Sequence, residues 1–488
     1  MPTSNSPASR WTRLAERACL AVFFVWLAWL PLPFGSVIER ARVPLIAVPL
    51  FLCTIAVLLR LHATRDRMNT AQPTRAWLIW GNGALLFLAY GALQLVPLPP
   101  SLLSAASPEA HALWSAGARV AALAGVSSSS WHPLSIDPHA TAFEVLRFAA
   151  LLASFLVAAL LIRSHARRSA LAMALCAAAM FEALYGLREA ALQRYEIWGW
   201  VNRLIFHRVT GTFVNPNHFA HYIAIVLPMA LFLAAVTWHL TGDEDVPVSR
   251  RIVRLVEHHL LRTSFALLAA VACVAAILLA QSRGALLALT TGLLAIAAML
   301  PGRRMSRILL VGAASVVLLV TLVLYLGPER TIKRFLPTEV ERVTFVGRRT
   351  GIGAAVALWQ RFSLFGSGLG TFERLASMEQ RADVERLYHH AHNDYAELAA
   401  TGGTTGFTIA IVTLIGGYAA LLRMTFGAAA RELTWRRRAF QAAALASLTI
   451  AMVHALFDFN FYIPANPATL AAIVGAAVAS VDHDRRRT

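Results

Sequence analysis

Long apolar stretches separated by short arginine-bearing loops recur along the whole chain. They fall at about 18–34, 43–61, 76–97, 142–163, 168–190, 215–240, 263–281, 285–300, 308–326, 404–423, 439–457 and 467–481. Helices of roughly this length cross about 30 Å of hydrocarbon, so the pattern predicts an all-α, polytopic transmembrane helix bundle of about 12 spans. Arg10, Arg13 and Arg17 precede the first stretch as in a secretory signal. No small-residue cleavage site follows, so it reads as an uncleaved first span.

Loop charge sets the orientation. With a cytoplasmic N-terminus, the arginine clusters at 60–75, 163–168, 250–262, 303–307, 431–438 and 485–487 all fall inside, and an even number of spans returns the C-terminus to the same side. Two outside segments are longer. The segment 98–141 is rich in Pro, Ser and Ala, whereas 327–403 carries ten basic residues. A basic, glycine-containing, partly helical loop of that length is the natural place for a site. The chain thus divides into nine spans with Arg-bearing outer loops (1–326), a long outer loop (327–403), and three spans with a tail (404–488).

Composition agrees. Of 488 residues 58% are hydrophobic and only 14% charged. The net charge of +18 would suit nucleic acid, but it is spread over loops between spans rather than gathered on one soluble face. Among the basic residues only Lys333 is a lysine, and Cys19, Cys53, Cys176 and Cys273 all lie within spans without a CxxC pair, so they read as core residues.

Three constellations could carry chemistry. In Arg208-Val-Thr-Gly-Thr-Phe-Val-Asn215-Pro216-Asn217, Asn215 suits an N-cap and Pro216 a first helical turn. That helix start offers free N–H groups to an anion, with Arg208 close enough to fold over it. The alternative is an ordinary cap and an arginine reaching to phospholipid headgroups. In Gln281-Ser282-Arg283-Gly284, a tight hairpin holds Arg283 at the outer boundary, where a charge needs a partner. Two arginines at one membrane level could grip a diphosphate bidentately. The third is Tyr388-His389-His390-Ala391-His392-Asn393-Asp394-Tyr395-Ala396-Glu397. Asp394 and Glu397 have capping-box spacing for a short helix ending at Gly402-Gly403, with His392 just ahead as a candidate base. The histidine spacing fits no usual zinc pattern, so no metal is expected.

Weaker signals read as structural. Gly366-Ser-Gly368-Leu-Gly370 lacks a preceding strand and is expected to be a flexible turn. His454 and Asp458 are four apart and expected to bond each other, Glu182 is expected to pair with a buried arginine, and Trp198 and Trp200 mark an interfacial belt.

Together these segments resemble the O-antigen ligase superfamily, which includes O-antigen and exopolysaccharide polymerases. The matching stretches are 208–217, Ser282-Arg283-Gly284, His392-Asn393-Asp394-Tyr395 and HALFDFNFYIPAN at 454–466, with QLVPLPP at 94–100 and GSGLGTF at 366–372. Arg361-Phe-Ser-Leu-Phe365 departs from it where a proline is expected. The resemblance implies a GT-C-like, metal-independent, inverting glycosyltransferase of the bacterial inner membrane, with its site on the periplasmic face and no cofactor. The donor would be a glycan on undecaprenyl pyrophosphate and the acceptor lipid A–core. A polymerase would use a second lipid-linked glycan instead. Arg208 and Arg283, with Asn215 and Asn217, would bind pyrophosphate, and His392 would be catalytic. His389, His390, Asp394, Arg348 and Arg349 are candidate supporting groups. A transporter of lipid-linked glycan is the rival of another class, but transporters place ionisable groups near the midplane rather than at one face. Membrane lipids are the expected surroundings, and nucleic acid is not an expected partner.

Overall fold

A computed structural model describes residues 7–65, 74–201, 208–242, 246–299, 339–379, 389–428, 430 and 433–479. The expected span 308–326 and the arginine clusters at 303–307 and 485–487 lie outside these residues. In chain order the helices are α1 (Pro7–Trp29), α2 (Glu39–Arg65), α3 (Arg75–Leu93), α4 (Pro100–Ala106), α5 (Pro108–Leu123), α6 (Pro138–Leu161) and α7 (His165–Ala191). A two-stranded hairpin, β1 (Glu196–Ile197) and β2 (Trp200–Val201), precedes α8 (Pro216–Leu240), α9 (Val248–Ala280) and α10 (Arg283–Met299). Then come α11 (Glu339–Arg361), α12 (Phe372–Ala376), α13 (Asp394–Phe426), α14 (Trp435–His454) and α15 (Ala465–Val478).

Among the described residues seven helices, α2, α3, α6, α7, α8, α9 and α13, are long and apolar enough to cross a membrane, against about twelve expected. Apolar stretches in α10 and α15 are shorter, and α1 and α14 begin with arginine-bearing turns that dilute their apolar length. At the centre stands α8, with 78% of its most apolar window buried, packed by α7, α9 and α14. Around it α6 joins α2 and α15, while α3 lies along α13.

At one end of the bundle, arginines close the carbonyl ends of neighbouring helices. Arg60 donates to Leu160 O (2.7 Å), Arg167 to Leu161 O (2.6 Å) and Arg168 to Ala476 O (3.2 Å). Terminal carbonyls lack an intrahelical partner and carry the negative end of the helix dipole, so a cation there is favoured twice over.

At the opposite end the described residues of the two long segments, 98–141 and 339–403, fold together. Leu103, Ala110, Leu134, Leu358, Phe362 and Phe372 share a second, smaller core built from α4, α5, α11 and α12. Arg361 bridges Glu109 and Glu379 across it. Buried Gln94 ties this unit to the bundle through Phe365 O (2.8 Å), Thr401 O (3.1 Å) and Leu369 N (3.0 Å). The glycine turn at 366–370 is therefore no flexible connector: Ser367 and Leu369 are buried, and the amides of Ser367 and Gly368 donate to Ala400 O and Thr401 O. Against that turn Gly403, at φ +62°, breaks α13 into a short helix and a span, as the Gly402-Gly403 pair predicts.

Candidate functional site

The three constellations converge at the end of the bundle that carries the second core. Asn215 caps α8, its side chain accepting from Asn217 N at 2.9 Å, and Pro216 occupies the first turn. The amides of His218 and Phe219 both reach Asn215 O at 3.1 Å, so the first turn keeps no free N–H for an anion. Binding there falls to side chains. Arg208 folds back over the turn as expected: Nη2 donates to Asn217 Oδ1 (3.0 Å) and Gln281 O (3.2 Å), and Nε to Ala280 O (2.8 Å). Arg208 thereby clamps the α9–α10 hairpin to the start of α8. Gln281 adopts φ +53° in that hairpin, and the exposed Arg283 opens α10 two residues later.

Glu182 supports the Arg208 loop from α7. It accepts from Thr212 N at 2.8 Å and stands 2.8 Å from Thr212 Oγ1, which also reaches Pro31 O at 2.7 Å, where an arginine partner was expected. Neutral polar groups of Thr212 stand where a second charge was expected. The Thr212 backbone comes this close because Gly186 and Gly211 stand in van der Waals contact, a Cβ on Gly186 falling 2.9 Å from Gly211 N.

Asp458 is the residue that sequence reasoning undervalued. It does not bond His454 through its side chain, as the four-residue spacing suggested. His454 Nδ1 instead meets His221 Nδ1 at 2.9 Å inside the bundle. The helix ends at His454, and the turn after it swings Asp458 toward α8. There its Oδ2 accepts from Asn217 Nδ2 (2.8 Å) and its Oδ1 from Phe459 N (3.0 Å) and His392 Nδ1 (3.1 Å). His218 Nε2 stands 3.5 Å from Oδ1, and Arg348 Nη2, on α11, 3.7 Å from Oδ2. Asp458 is 1% exposed. Burial alone would push its carboxyl up, but the imidazoles of His218 and His392 outweigh that and hold it well below the usual carboxylate range.

His392 adopts φ +53°, a left-handed conformation that costs a non-glycine residue about 1–3 kcal/mol and clusters at functional sites. The cap just behind it keeps it there. Asn393, not Asp394, is the N-cap of α13, accepting from Ala396 N at 2.9 Å. Asp394 N donates to Ala455 O and its carboxylate accepts from Phe461 N, binding the His392 turn to the Asp458 turn. Glu397 reaches back to Ala391 N and His390 Nδ1, both at 2.8 Å, so the expected Asp394–Glu397 capping box does not form. His390 is half-buried against Phe459, ring centroids 4.2 Å apart. Burial lowers its basicity, but the adjacent Glu397 more than compensates and leaves its pKa raised.

The three clustered histidines diverge: His389 bonds Glu373 (2.6 Å), His390 Glu397 and His392 Asp458. Among the described residues no group of three or more His, Cys, Asp or Glu has the geometry to hold a metal. Arg349 is exposed next to Arg348 on α11.

The result is one hydrogen-bonded chain, Arg208–Asn217–Asp458–His392, with Arg348 beside it and Arg283 two residues past the Gln281 that Arg208 holds. His392 is partly exposed, its side chain at 29%, so the ring can meet a ligand. Asp458 was read as a structural partner of His454 and His218 was not singled out, for want of a local signal, since the partners of Asp458 lie 66 and 241 residues away.

Residues 268–411 match the family model described as O-antigen ligase (Wzy_C). This supports placing the chain in the superfamily of O-antigen ligases and polymerases, membrane enzymes that act on lipid-linked glycans. The matched segment contains Arg283, Arg348 and His392, whereas Arg208, Asn217 and Asp458 lie outside it. No curated protein matches the sequence.

Proposed function

Taking membership of the O-antigen ligase superfamily as premise, we propose that this protein is a membrane glycosyltransferase of the bacterial inner membrane. It moves a glycan from undecaprenyl pyrophosphate to a sugar hydroxyl of lipid A–core, at the periplasmic end of the bundle. The observation that carries this reading is the His392–Asp458 pair, linked through Asn217 to Arg208.

An ionised carboxylate can only accept, so Asp458 requires the His392 proton on Nδ1 and leaves the Nε2 lone pair for a substrate. Nε2 takes the proton of the acceptor hydroxyl as its oxygen attacks the anomeric carbon. The bond from that carbon to pyrophosphate breaks, and its electron pair leaves with the phosphate oxygen. Attack from the face opposite the leaving group inverts the anomeric centre. Asp458 stabilises the imidazolium that forms, the role of the acid in a catalytic triad. Charge growing on pyrophosphate is met by Arg283, Arg348 and the outer edge of Arg208. Arg348 suits this role because its side chain stays 36% exposed while its Nη2 stands beside Asp458. All the cations are side chains of the chain itself, so the mechanism calls for no metal. General-base assistance of this kind contributes roughly 10²–10⁴ in rate.

The test is transfer in vitro with purified protein, undecaprenyl-pyrophosphate glycan, lipid A–core and a chelator. Glycan should shift to lipid A–core with the wild type and not with His392→Ala. Normal transfer by that variant would remove His392 as the base. Transfer only to a second lipid-linked glycan would make the protein a polymerase. No transfer by folded wild-type protein from intact donor to either acceptor would overturn the transferase and favour transport.

A further inference from the structure

A cleft opens beside the catalytic turn, and nothing in the mechanism above uses it. This open cleft has a volume of about 600 Å³, within the roughly 300–1,000 Å³ range of small-molecule sites. One wall is the start of α6, with Asp137, Phe143 and Glu144. Arg42 of α2 faces it, and Glu373, Arg374 and the catalytic-loop residue His389 close the far side.

The charges nearly cancel. Asp137 uses Oδ1 to cap α6 and meets Arg374 Nε with Oδ2 at 2.5 Å. Glu144 is held by Arg147, whose Nη1 continues to Phe461 O at 2.8 Å. Glu373 pairs with His389 at the rim, and Arg42 lies 4.8 Å over the Phe143 ring. A dianionic phosphate gains little from so balanced a set. A neutral polyhydroxyl ligand gains more, because guanidinium N–H groups donate to ring and hydroxyl oxygens while carboxylates accept from hydroxyls. The Phe143 ring, one face of which Arg42 covers, lines the cleft with the apolar surface that one side of a pyranose ring needs. Gly370, at φ +80°, keeps the wall bare: a Cβ there would stand 2.7 Å from Glu144 Cγ.

The cleft is joined to the reaction centre at two points. His389 lies three residues before His392, and the Glu144–Arg147–Phe461 chain ends in the turn that carries Asp458. We propose that this cleft is a saccharide subsite, holding sugar units of a glycan substrate next to the one that reacts at His392. The proposal rests on the transferase reading. Its ligand can be the acceptor oligosaccharide or the donor glycan, which present the same hydroxyl chemistry.

The experiment uses full-length protein in lipid nanodiscs and two soluble probes: core oligosaccharide freed from lipid A, and the glycan repeat freed from its lipid pyrophosphate. Saturation-transfer NMR reads binding to wild type, His392→Ala, Arg42→Ala and Phe143→Ala. At least one probe should bind wild type and His392→Ala alike, and bind Phe143→Ala and Arg42→Ala roughly five- to tenfold more weakly. In transfer assays the same two variants should raise KM for the substrate bearing that probe's sugars by a similar factor, with kcat changed less than about twofold. The substrate whose KM moves identifies the source. No binding of either probe, or unchanged binding and KM in both variants, would overturn the subsite while leaving the His392 test untouched. Weakened binding in a protein that transfers nothing would keep the saccharide site and sink the transferase.

Discussion

Asp458→Asn isolates the central claim, because it keeps size and shape and alters only charge and donor pattern. Oδ1 of Asp458 takes His392 at 3.1 Å and Oδ2 takes Asn217 at 2.8 Å. An amide has one oxygen. If it faces His392, its NH₂ meets the NH₂ of Asn217, which must flip and turn its own NH₂ onto Arg208. If it faces Asn217, the His392 proton moves to Nε2 and the base is lost. Either orientation also removes the anion that stabilises the imidazolium. The expected loss in kcat is roughly 10²–10⁴-fold, about 3–5 kcal/mol of barrier, with donor KM changed far less. Initial rates of glycan transfer at saturating donor, on protein shown to be folded by size exclusion and thermal unfolding, measure it. A kcat within threefold of wild type in folded protein would refute the dyad and leave Asp458 a structural hub only.

Other outcomes follow from single residues. Arg283→Lys keeps the charge and loses the guanidinium fork; transfer should fall about tenfold or more, whereas a headgroup anchor would tolerate it, so near-normal transfer assigns Arg283 to lipid. Gly403→Ala forces a Cβ to within 2.3 Å of Gly366 N at φ +62°. It should cost at least about 2 kcal/mol, visible as a lower unfolding temperature in detergent, and an unchanged value would contradict the packing of α13 on the glycine turn. His390 has a raised pKa in the folded protein, so its pairing with Glu397 contributes stability that is fully present below the unfolded value of 6.5 and lost as pH rises through the folded one. The stability gap between wild type and His390→Gln should therefore shrink as the pH is raised from 6 toward 8; a gap that widens would reverse the assignment.

Much of this protein was determined by its sequence alone. Apolar stretches of helix-spanning length need no tertiary information to be read, because a bilayer demands them locally. The cap at Asn215, the proline after it, and the break at Gly402-Gly403 are equally local, and the structure shows each in place. Arg208, Arg283 and His392 could be singled out because a charge or a titratable ring at a helix end is conspicuous wherever it falls. What the chain did not disclose is who meets whom. Asp458 was paired by spacing with His454, yet that helix stops at His454 and the following turn faces α8. Glu182 was given an arginine because a buried carboxylate wants a cation, yet it meets the neutral amide and hydroxyl of Thr212 where glycines let the backbone approach. The glycine turn at 366–370 looked loose in sequence and is held on every side by Gln94, Ala400 and Thr401. Periodicity and capping act over a few residues and are written in the sequence. The pairing of groups up to hundreds of residues apart depends on how helices pack, and only the tertiary structure decided that.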